Sequence, residues 1–131
     1  MAELAAKEGD RITAMDTHLI QPPTPATPTL VSGHQFSGVI DGALSSDVNI
    51  EGRAAATIDS TATNTPVHVP IGGSFVSPPS NRATIVSGSG SVFINGKAAA
   101  RANDTANTCN DPLDVPAGTV QVAAGTVRIG G

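Results

Sequence analysis

The sequence predicts a mainly β fold, small and built of β-hairpin repeats with pseudo-threefold symmetry and little or no helix. Three observations support this class. The 131 residues include 14 glycines and 10 prolines, which favour strands and turns. Aromatic residues make up only 2%, with no Trp and no Tyr, so small Ala, Val and Ile side chains must fill the interior. One hairpin pattern also recurs along the chain.

The clearest copy of this pattern is Val92–Asp104. It opens with a short run of β-forming residues and continues into Asn95-Gly96, a strong hairpin signal because both residues tolerate positive φ. An alanine-rich strand then returns, and a second turn follows at its end. Val48–Ser60 repeats the pattern, with Glu51-Gly52 at the hairpin turn and the same run of three alanines.

A third copy is divided between the two ends of the chain. Ala5–Asp10 matches the returning half of the hairpin, and Gly125–Gly131 matches the outgoing half. Pairing of these two segments closes a ring of three similar units, in which each unit buries its apolar face against its neighbours. The length fits one domain, so residues 1–131 are predicted to form a single unit.

The remaining segments connect these units. On helix propensity alone residues 2–8 favour a helix, but the repeat makes them a strand. The other predictions, in chain order, are a lead-out over Arg11–His18, an extended proline-rich segment over Gln21–Pro28, a strand within Leu30–Ile40, a turn at Asp41-Gly42, a loop over Asn64–Pro79, a strand over Ala83–Val86, a turn over Val115–Gly118, and final strands over Thr119–Ala123 and Val127–Ile129.

Charge and composition limit the partners. The formal net charge is −4 and no basic cluster occurs, which argues against nucleic acid or an anionic membrane as the main partner. No apolar run is long enough to span a bilayer, and the first residues lack the apolar core of a signal peptide. We therefore expect synthesis in the cytoplasm and export by another route. A single cysteine excludes an internal disulfide, so strand pairing, a metal or a partner must hold the framework.

The histidines and the cysteine follow the phase of the repeats. His18 and His68 each lie eight residues beyond equivalent repeat positions, Asp10 and Ser60, and Cys109 lies five beyond Asp104. If the three units surround one axis, the loops that leave the units converge at one end of the molecule. A further histidine completes a closed tetrahedral set for one structural zinc, and the predicted ligands are His18, His34, His68 and Cys109.

Unrelated loop histidines are the alternative to this metal site. Three histidines are an ordinary number, and none forms a local metal-binding motif. Asp16 and Asp111 lie close in sequence and are the predicted replacements if one ligand is wrong. The recurring Asp10, Asp59 and Asp104 can form acid–base pairs, but turn residues that bond their own backbone are commoner.

The segment Val92–Asp104 and its degenerate copies resemble the PAAR-repeat proteins. These are small conical tips on the spikes of contractile injection machines, such as type VI secretion systems and phage-tail-like particles. The sequence departs from the family pattern at Ala98, where a proline is usual, and at Thr57, where an arginine is usual. The resemblance implies a metal near the apex, held by the kind of ligand set predicted above.

The resemblance also implies a structural function and no enzymatic activity. The wide end would cap a trimeric β-helical spike protein, one tip per trimer, by strand addition. The sharp end would meet the target membrane, and the assembled particle would carry the protein outside the cell or into a target cell. Two alternatives are an adaptor that attaches effector cargo through the proline-rich loops, and a small zinc hydrolase, which requires an open metal position and a general base.

Overall fold

A computed structural model describes residues 2–131, and Met1, with which the predicted domain begins, lies outside the described residues. This range contains no helix, hence none long and apolar enough to cross a membrane. Its strands are β1 (Glu3–Leu4), β2 (Arg11–Gln21), β3 (Thr29–Gly42), β4 (Asn49–Ile50), β5 (Arg53–Ala54), β6 (Thr61–Asn64), β7 (Ser74–Phe75), β8 (Arg82–Ile85), β9 (Phe93–Ile94), β10 (Lys97–Ala98), β11 (Thr105–Thr108), β12 (Val115–Gln121) and β13 (Arg128–Ile129). The prediction of a small, conical, mainly β fold is confirmed.

Three short hairpins form the wide end of the cone. β4 pairs with β5 and β9 pairs with β10, each antiparallel across its predicted turn. The third hairpin joins the two ends of the chain, because β13 pairs with β1 through Glu3↔Ile129 and Leu4↔Arg128. The divided copy therefore closes the ring, as the sequence predicts. Residues 3–7 are extended rather than helical, as the repeat requires, and Glu8 begins the turn that follows.

The alanine runs meet in a cyclic set of backbone hydrogen bonds. The Ala6 N–H donates to the Ala100 carbonyl (3.0 Å), the Ala100 N–H to the Ala56 carbonyl (3.0 Å), and the Ala56 N–H to the Ala6 carbonyl (3.1 Å). Each unit thus donates to one neighbour and accepts from the other. All three side chains are fully buried, and the close approach of three backbones explains why the repeats carry alanine here.

A second layer of equivalent residues packs over this cycle. It is a small apolar cluster in which each unit contributes one alanine and one isoleucine: Ala5, Ala55, Ala99, Ile50, Ile94 and Ile129. No unit has enough apolar surface to form a core alone. The closed ring is therefore the smallest unit in which these side chains are buried from solvent.

Equivalent turns also end the three alanine strands. The Asp10 and Asp104 carboxylates accept the backbone N–H groups of Lys7 (3.0 Å) and Arg101 (2.7 Å), three residues earlier. The carboxylates pair with the same two side chains, Lys7 at 3.2 Å and Arg101 at 3.1 Å. The prediction that these aspartates are turn residues bonding their own backbone is confirmed at these two positions.

The hairpin turns have the backbone conformation that their sequences predict. Glu51 and Gly52 have φ of 52° and 81°, and Asn95 and Gly96 have φ of 53° and 79°. Positive φ at both central residues is the requirement of a type I′ turn. A Cβ added to Gly96 would meet no atom within 4 Å, so a substitution there acts through backbone conformation alone.

Gly96→Val is therefore expected to lower the free energy of unfolding by about 1–3 kcal/mol, the cost of a β-branched residue at positive φ. Chemical denaturation would measure this loss. Gly130→Val is the matched control, because Gly130 is also surrounded by open space but lacks a positive φ. Equal stability of the two variants would contradict the type I′ assignment.

Above the ring, six strands close into a barrel in the order β12-β11-β8-β6-β3-β2, with β2 pairing back to β12. Burial alternates along the short strands, as in β6 and β8, so every second side chain enters the core. The largest side chains of the main apolar cluster, all fully buried, are Ile12, Phe36, Ile40, Ile85 and Val120.

Two strands extend beyond this barrel and carry the narrow end of the molecule. β2 and β3 contain 11 and 14 residues, whereas β6, β8 and β11 contain four each. The last part of β2 and the first part of β3 therefore project past the other strands. β7 pairs with β2 at Ile20 and Gln21, near the end of this projection.

Several predicted connections are wrong in detail. Val115–Gly118 is the start of strand β12 rather than a turn. Asp41-Gly42 ends strand β3 after a register shift, and the chain turns at Ala43, which has a φ of 50°. The segment after Asp10 is a full strand through Gln21, which places His18 on a strand instead of a loop. In each case barrel closure provides hydrogen-bond partners that local sequence does not reveal.

Candidate metal centre

The four sequence-predicted ligands lie together at the narrow end. His18 is on β2 and His34 is on the neighbouring β3, while His68 follows β6 and Cys109 follows β11 directly. The His18 ring centroid lies 5.2 Å from that of His34 and 5.0 Å from that of His68, and the other two are 5.8 Å apart. All four side chains are buried. Whether all four bind one metal remains a prediction.

The most compact donor group in the described residues includes a carboxylate. Asp16, His18, His68 and Cys109 each offer one donor atom, and these atoms lie within 4.8 Å of one another. The sequence predicts Asp16 only as a replacement ligand, whereas in the structure it belongs to this group and His34 lies beside it. All four members are buried, so an ion held here would be shielded from water.

The distances within the group are close to those around a small ion with tetrahedral coordination. Cys109 Sγ lies 3.9 Å from His18 Nε2 and 3.6 Å from Asp16 Oδ2. Zinc bonds of about 2.0–2.3 Å at tetrahedral angles separate neighbouring donors by roughly 3.3–3.7 Å. His68 Nε2 is closer to Asp16 Oδ2, at 2.9 Å, which is a hydrogen-bond distance. Small adjustments would bring these atoms to ligand spacing, so the residues fit a metal.

Asp16 is held by neutral donors as well as by His68. The Thr108 hydroxyl donates to Asp16 Oδ1 at 2.6 Å, and the Asn110 amide donates to the same oxygen at 3.2 Å. The Asp16 side chain is fully buried, where an unpaired carboxylate is costly. These donors leave Oδ2 to face His68 and Cys109.

His34 has a ring nitrogen that no hydrogen bond satisfies. Its Nδ1 is buried and lacks a partner among residues 2–131, while its Nε2 accepts a long hydrogen bond of 3.3 Å from the Ile71 N–H. Burial lowers the pKa of His34, and the charges of His18 and His68 lower it further. A metal at Nδ1 would satisfy the buried nitrogen, at the expense of the Ile71 bond, because the ring proton would then be on Nε2.

The cysteine is a thiol at neutral pH before a metal binds. Burial raises the pKa of Cys109 to about 11, and the charge of Asp16 adds to this. A bound cation reverses this preference, because the thiolate is the form that coordinates metals. A mixed thiolate, imidazole and carboxylate set suits zinc better than it suits magnesium or calcium.

Metal affinity is therefore expected to increase with pH. Since Cys109 has a pKa of about 11 without metal, each bound ion must release the thiol proton at neutral pH. This proton alone makes the affinity rise about tenfold per pH unit. Competition with a chromophoric chelator at several pH values above neutrality would measure the slope. A slope in Cys109→Ser as steep as that of the wild type would contradict this origin.

Several residues of the site were not found from the sequence. Asn64 donates through its amide to His68 Nδ1 (3.3 Å) and to Asn81 Oδ1 (3.1 Å), and Asn81 Oδ1 also accepts the His68 N–H (2.8 Å). Thr108 and Asn110 support Asp16 from the other side. Their only sequence signal is a position near a predicted ligand, because asparagine and threonine are ordinary loop residues.

The fold and the site together define a class of protein, a small β cone with a pseudo-threefold wide end and a buried group at the narrow end that can bind a metal ion. The PAAR motif family model matches residues 31–113, more than half of the chain. The chain therefore belongs to the PAAR motif family. A search of curated proteins finds no match.

Proposed function

We propose that this protein is the tip of a trimeric central spike in a contractile injection machine. The observation that carries the proposal is the closed ring of three equivalent hairpins at the wide end. A single chain with three similar faces can contact a threefold-symmetric partner on every side. The proposed partner is a trimeric β-helical spike protein, with one tip per trimer.

The rim of the ring offers equivalent groups to such a partner. Val48, Val92 and Val127 occupy the same repeat position and are between 37% and 39% exposed. Their neighbours on the outgoing strands include Phe93, which is 60% exposed. The outgoing strands β4, β9 and β13 each pair with one returning strand in a two-stranded sheet. Strand addition to the end of a β-helix is a docking mode that this arrangement supports.

The narrow end has a surface suited to a membrane. No Asp, Glu, Lys or Arg occurs between Thr17 and Ile40 or between Thr65 and Asn81. Exposed apolar side chains lie in these segments, with Leu30 at 57% and Val69 at 73%. An uncharged apolar surface avoids the cost of removing charges from water. This supports contact with the target membrane on injection.

We propose zinc as the metal and a structural role for it. A bound zinc supplies cross-links between strands and loops that the small apolar core does not provide. Asp16 and His18 on β2, His34 on β3, His68 in the loop after β6 and Cys109 after β11 are the residues that would hold it. The site lies at the narrow end, where β2 and β3 project beyond the barrel.

A zinc hydrolase is less well supported than a structural site. Asp16, His18, His34 and Cys109 are each no more than 3% exposed, so the donor group gives a substrate little access. The adaptor alternative keeps one supporting observation, since exposed Val67 and Val69 lie in a proline-containing loop where cargo can bind. Cargo attachment is compatible with the spike-tip function, and we propose it as a second role.

Two measurements on one sample test this proposal. The protein, purified without added metal, is expected to contain one zinc per chain and to co-purify with its trimeric spike at one tip per trimer. Absence of any transition metal near stoichiometric amount would contradict the zinc part. A sample that contains metal but never associates with a spike would contradict the spike-tip part. Association with particles recovered outside the cell would test the proposed export route.

A further inference from the structure

The segment that follows β11 binds β2 at an irregularity in its ladder. The β2–β3 register shifts between Asp16 and His18, where the single residue Thr17 lies opposite two residues of β3, Ser32 and Gly33, which form a β-bulge. The Asn110 side-chain oxygen accepts the Thr17 N–H at 2.7 Å, and the Asp111 N–H donates to the Thr17 carbonyl at 2.9 Å. Asn110 and Asp111 thus satisfy the backbone groups of Thr17 opposite the bulge. We call these two residues the clamp.

The clamp also reaches His18. Asp111 Oδ2 accepts the Leu19 N–H at 2.8 Å and lies 3.3 Å from His18 Nδ1. Because the Leu19 bond fixes this oxygen, it provides a stationary acceptor for a proton on His18 Nδ1. The lone pair of the imidazole is then on Nε2, which lies 3.9 Å from Cys109 Sγ inside the donor group.

We propose that Asp111 is a positioning residue of the metal site, an inference that rests on the metal-binding part of the proposed function. It holds His18 in the tautomer and orientation that present Nε2 to the ion, and it is not itself a ligand. Such outer carboxylates fix the ring and increase the basicity of the ligating nitrogen. The sequence predicts Asp111 only as a replacement ligand.

The other two histidines lack this arrangement in residues 2–131. His34 Nε2 accepts the Ile71 N–H, and His68 Nδ1 faces the Asn64 amide. The carboxylate that contacts His68, Asp16, lies inside the donor group rather than behind the ring. His18 alone therefore has a carboxylate on the nitrogen that points away from the cysteine, which gives Asp111 a role that the other neighbours do not share.

The test compares Asp111→Asn with Asp114→Asn in the full chain. Asp111→Asn keeps an oxygen for the Leu19 N–H but removes the charged acceptor for His18 Nδ1. Asp114 is exposed, and Asp114→Asn makes the same charge change three residues away. Zinc affinity, measured by chelator competition, is expected to fall about 10–100-fold in Asp111→Asn and to stay at the wild-type value in Asp114→Asn.

Cobalt(II) substitution adds a readout that does not depend on affinity alone. Saturated Asp111→Asn is expected to retain the sulfur-to-cobalt charge-transfer band of Cys109, while the visible ligand-field bands shift because the His18 geometry changes. Wild-type zinc affinity in Asp111→Asn would overturn the inference. X-ray absorption of the zinc-loaded wild type showing Asp111 bound directly to the metal would also overturn it.

A measurement on the wild type covers the case in which Asp111→Asn does not fold. In zinc-loaded protein, nitrogen NMR of His18 is expected to show a protonated Nδ1 and a metal-bound Nε2, and the reverse pattern would overturn the inference. A wild-type protein that binds neither zinc nor cobalt would contradict the metal proposal and this inference together. Equal zinc affinity of the wild type and Asp111→Asn would contradict the inference alone.

Discussion

Removal of Thr126–Gly131 is expected to abolish binding to the trimeric spike while the metal stays bound. The deletion takes away β13, the strand that pairs with β1 and completes the third hairpin. One of the three faces of the ring then lacks its outgoing strand. A threefold partner loses one of three equivalent contacts, and the unpaired β1 is free to move.

The packing around β13 explains why the effect should be large at the wide end. Ile129 is 7% exposed and belongs to the apolar cluster that joins all three units. The Val127 carbonyl accepts the Ala5 N–H at 2.9 Å, and the Gly130 carbonyl accepts the Ser89 hydroxyl at 2.6 Å. Burial of an isoleucine side chain contributes about 1.5–3 kcal/mol, so the deletion destabilises the ring beyond the lost edge.

The metal site should survive because it uses none of these contacts. Its donor residues are on β2, after β6 and after β11. A pull-down with the cognate spike and a metal assay on the same sample measure both expectations. Removal of Gly131 alone is the control, because it leaves β13 intact. Spike binding that persists in the longer deletion would contradict a docking face that requires the closed ring.

Cys109→Ser is expected to lower the melting temperature of the metal-loaded protein by about 10 °C or more, a larger effect than any substitution of an exposed serine or threonine. Loss of a thiolate from a closed site removes much of the free energy that metal binding adds to folding. In a chain of this size each kcal/mol corresponds to several degrees. The buried cysteine joins the end of β11 to Asp16 and His18 on β2, so the stabilisation it provides is long-range.

Metal removal provides the internal control for this variant. Without metal, the polar contacts of Cys109 Sγ are weak, at 3.6 Å and 3.9 Å, and its remaining contribution is packing in the apolar core, so the difference in melting temperature between Cys109→Ser and the wild type should be much smaller after chelation. An exposed change such as Ser46→Ala should leave both melting temperatures unaltered. A Cys109→Ser protein that keeps its metal and melts like the loaded wild type would show that the cysteine is not a ligand.

The sequence by itself determined the repeat architecture. Adjacent residues encode a type I′ hairpin at Asn95-Gly96, because both tolerate positive φ without help from the rest of the fold, and the repeat phase assigns the same turn to Glu51-Gly52. The recurring alanine run marks a place where backbones approach closely. The half-copies of the hairpin at the two chain ends were enough to predict ring closure. Equivalent positions of a repeat can be aligned however distant the copies are in sequence.

Only the tertiary structure decided which groups surround the buried donor atoms. Asp16 meets Thr108 and Cys109 across 92 and 93 positions of sequence, and the β3 bulge opposite Thr17 exists only in the paired ladder. Asp16 is a candidate ligand because it is buried beside the other donor atoms. Asn110 and Asp111 form the clamp because the fold places them against β2. Such roles depend on long-range contacts and on the exclusion of water, and neither leaves a local pattern in the sequence.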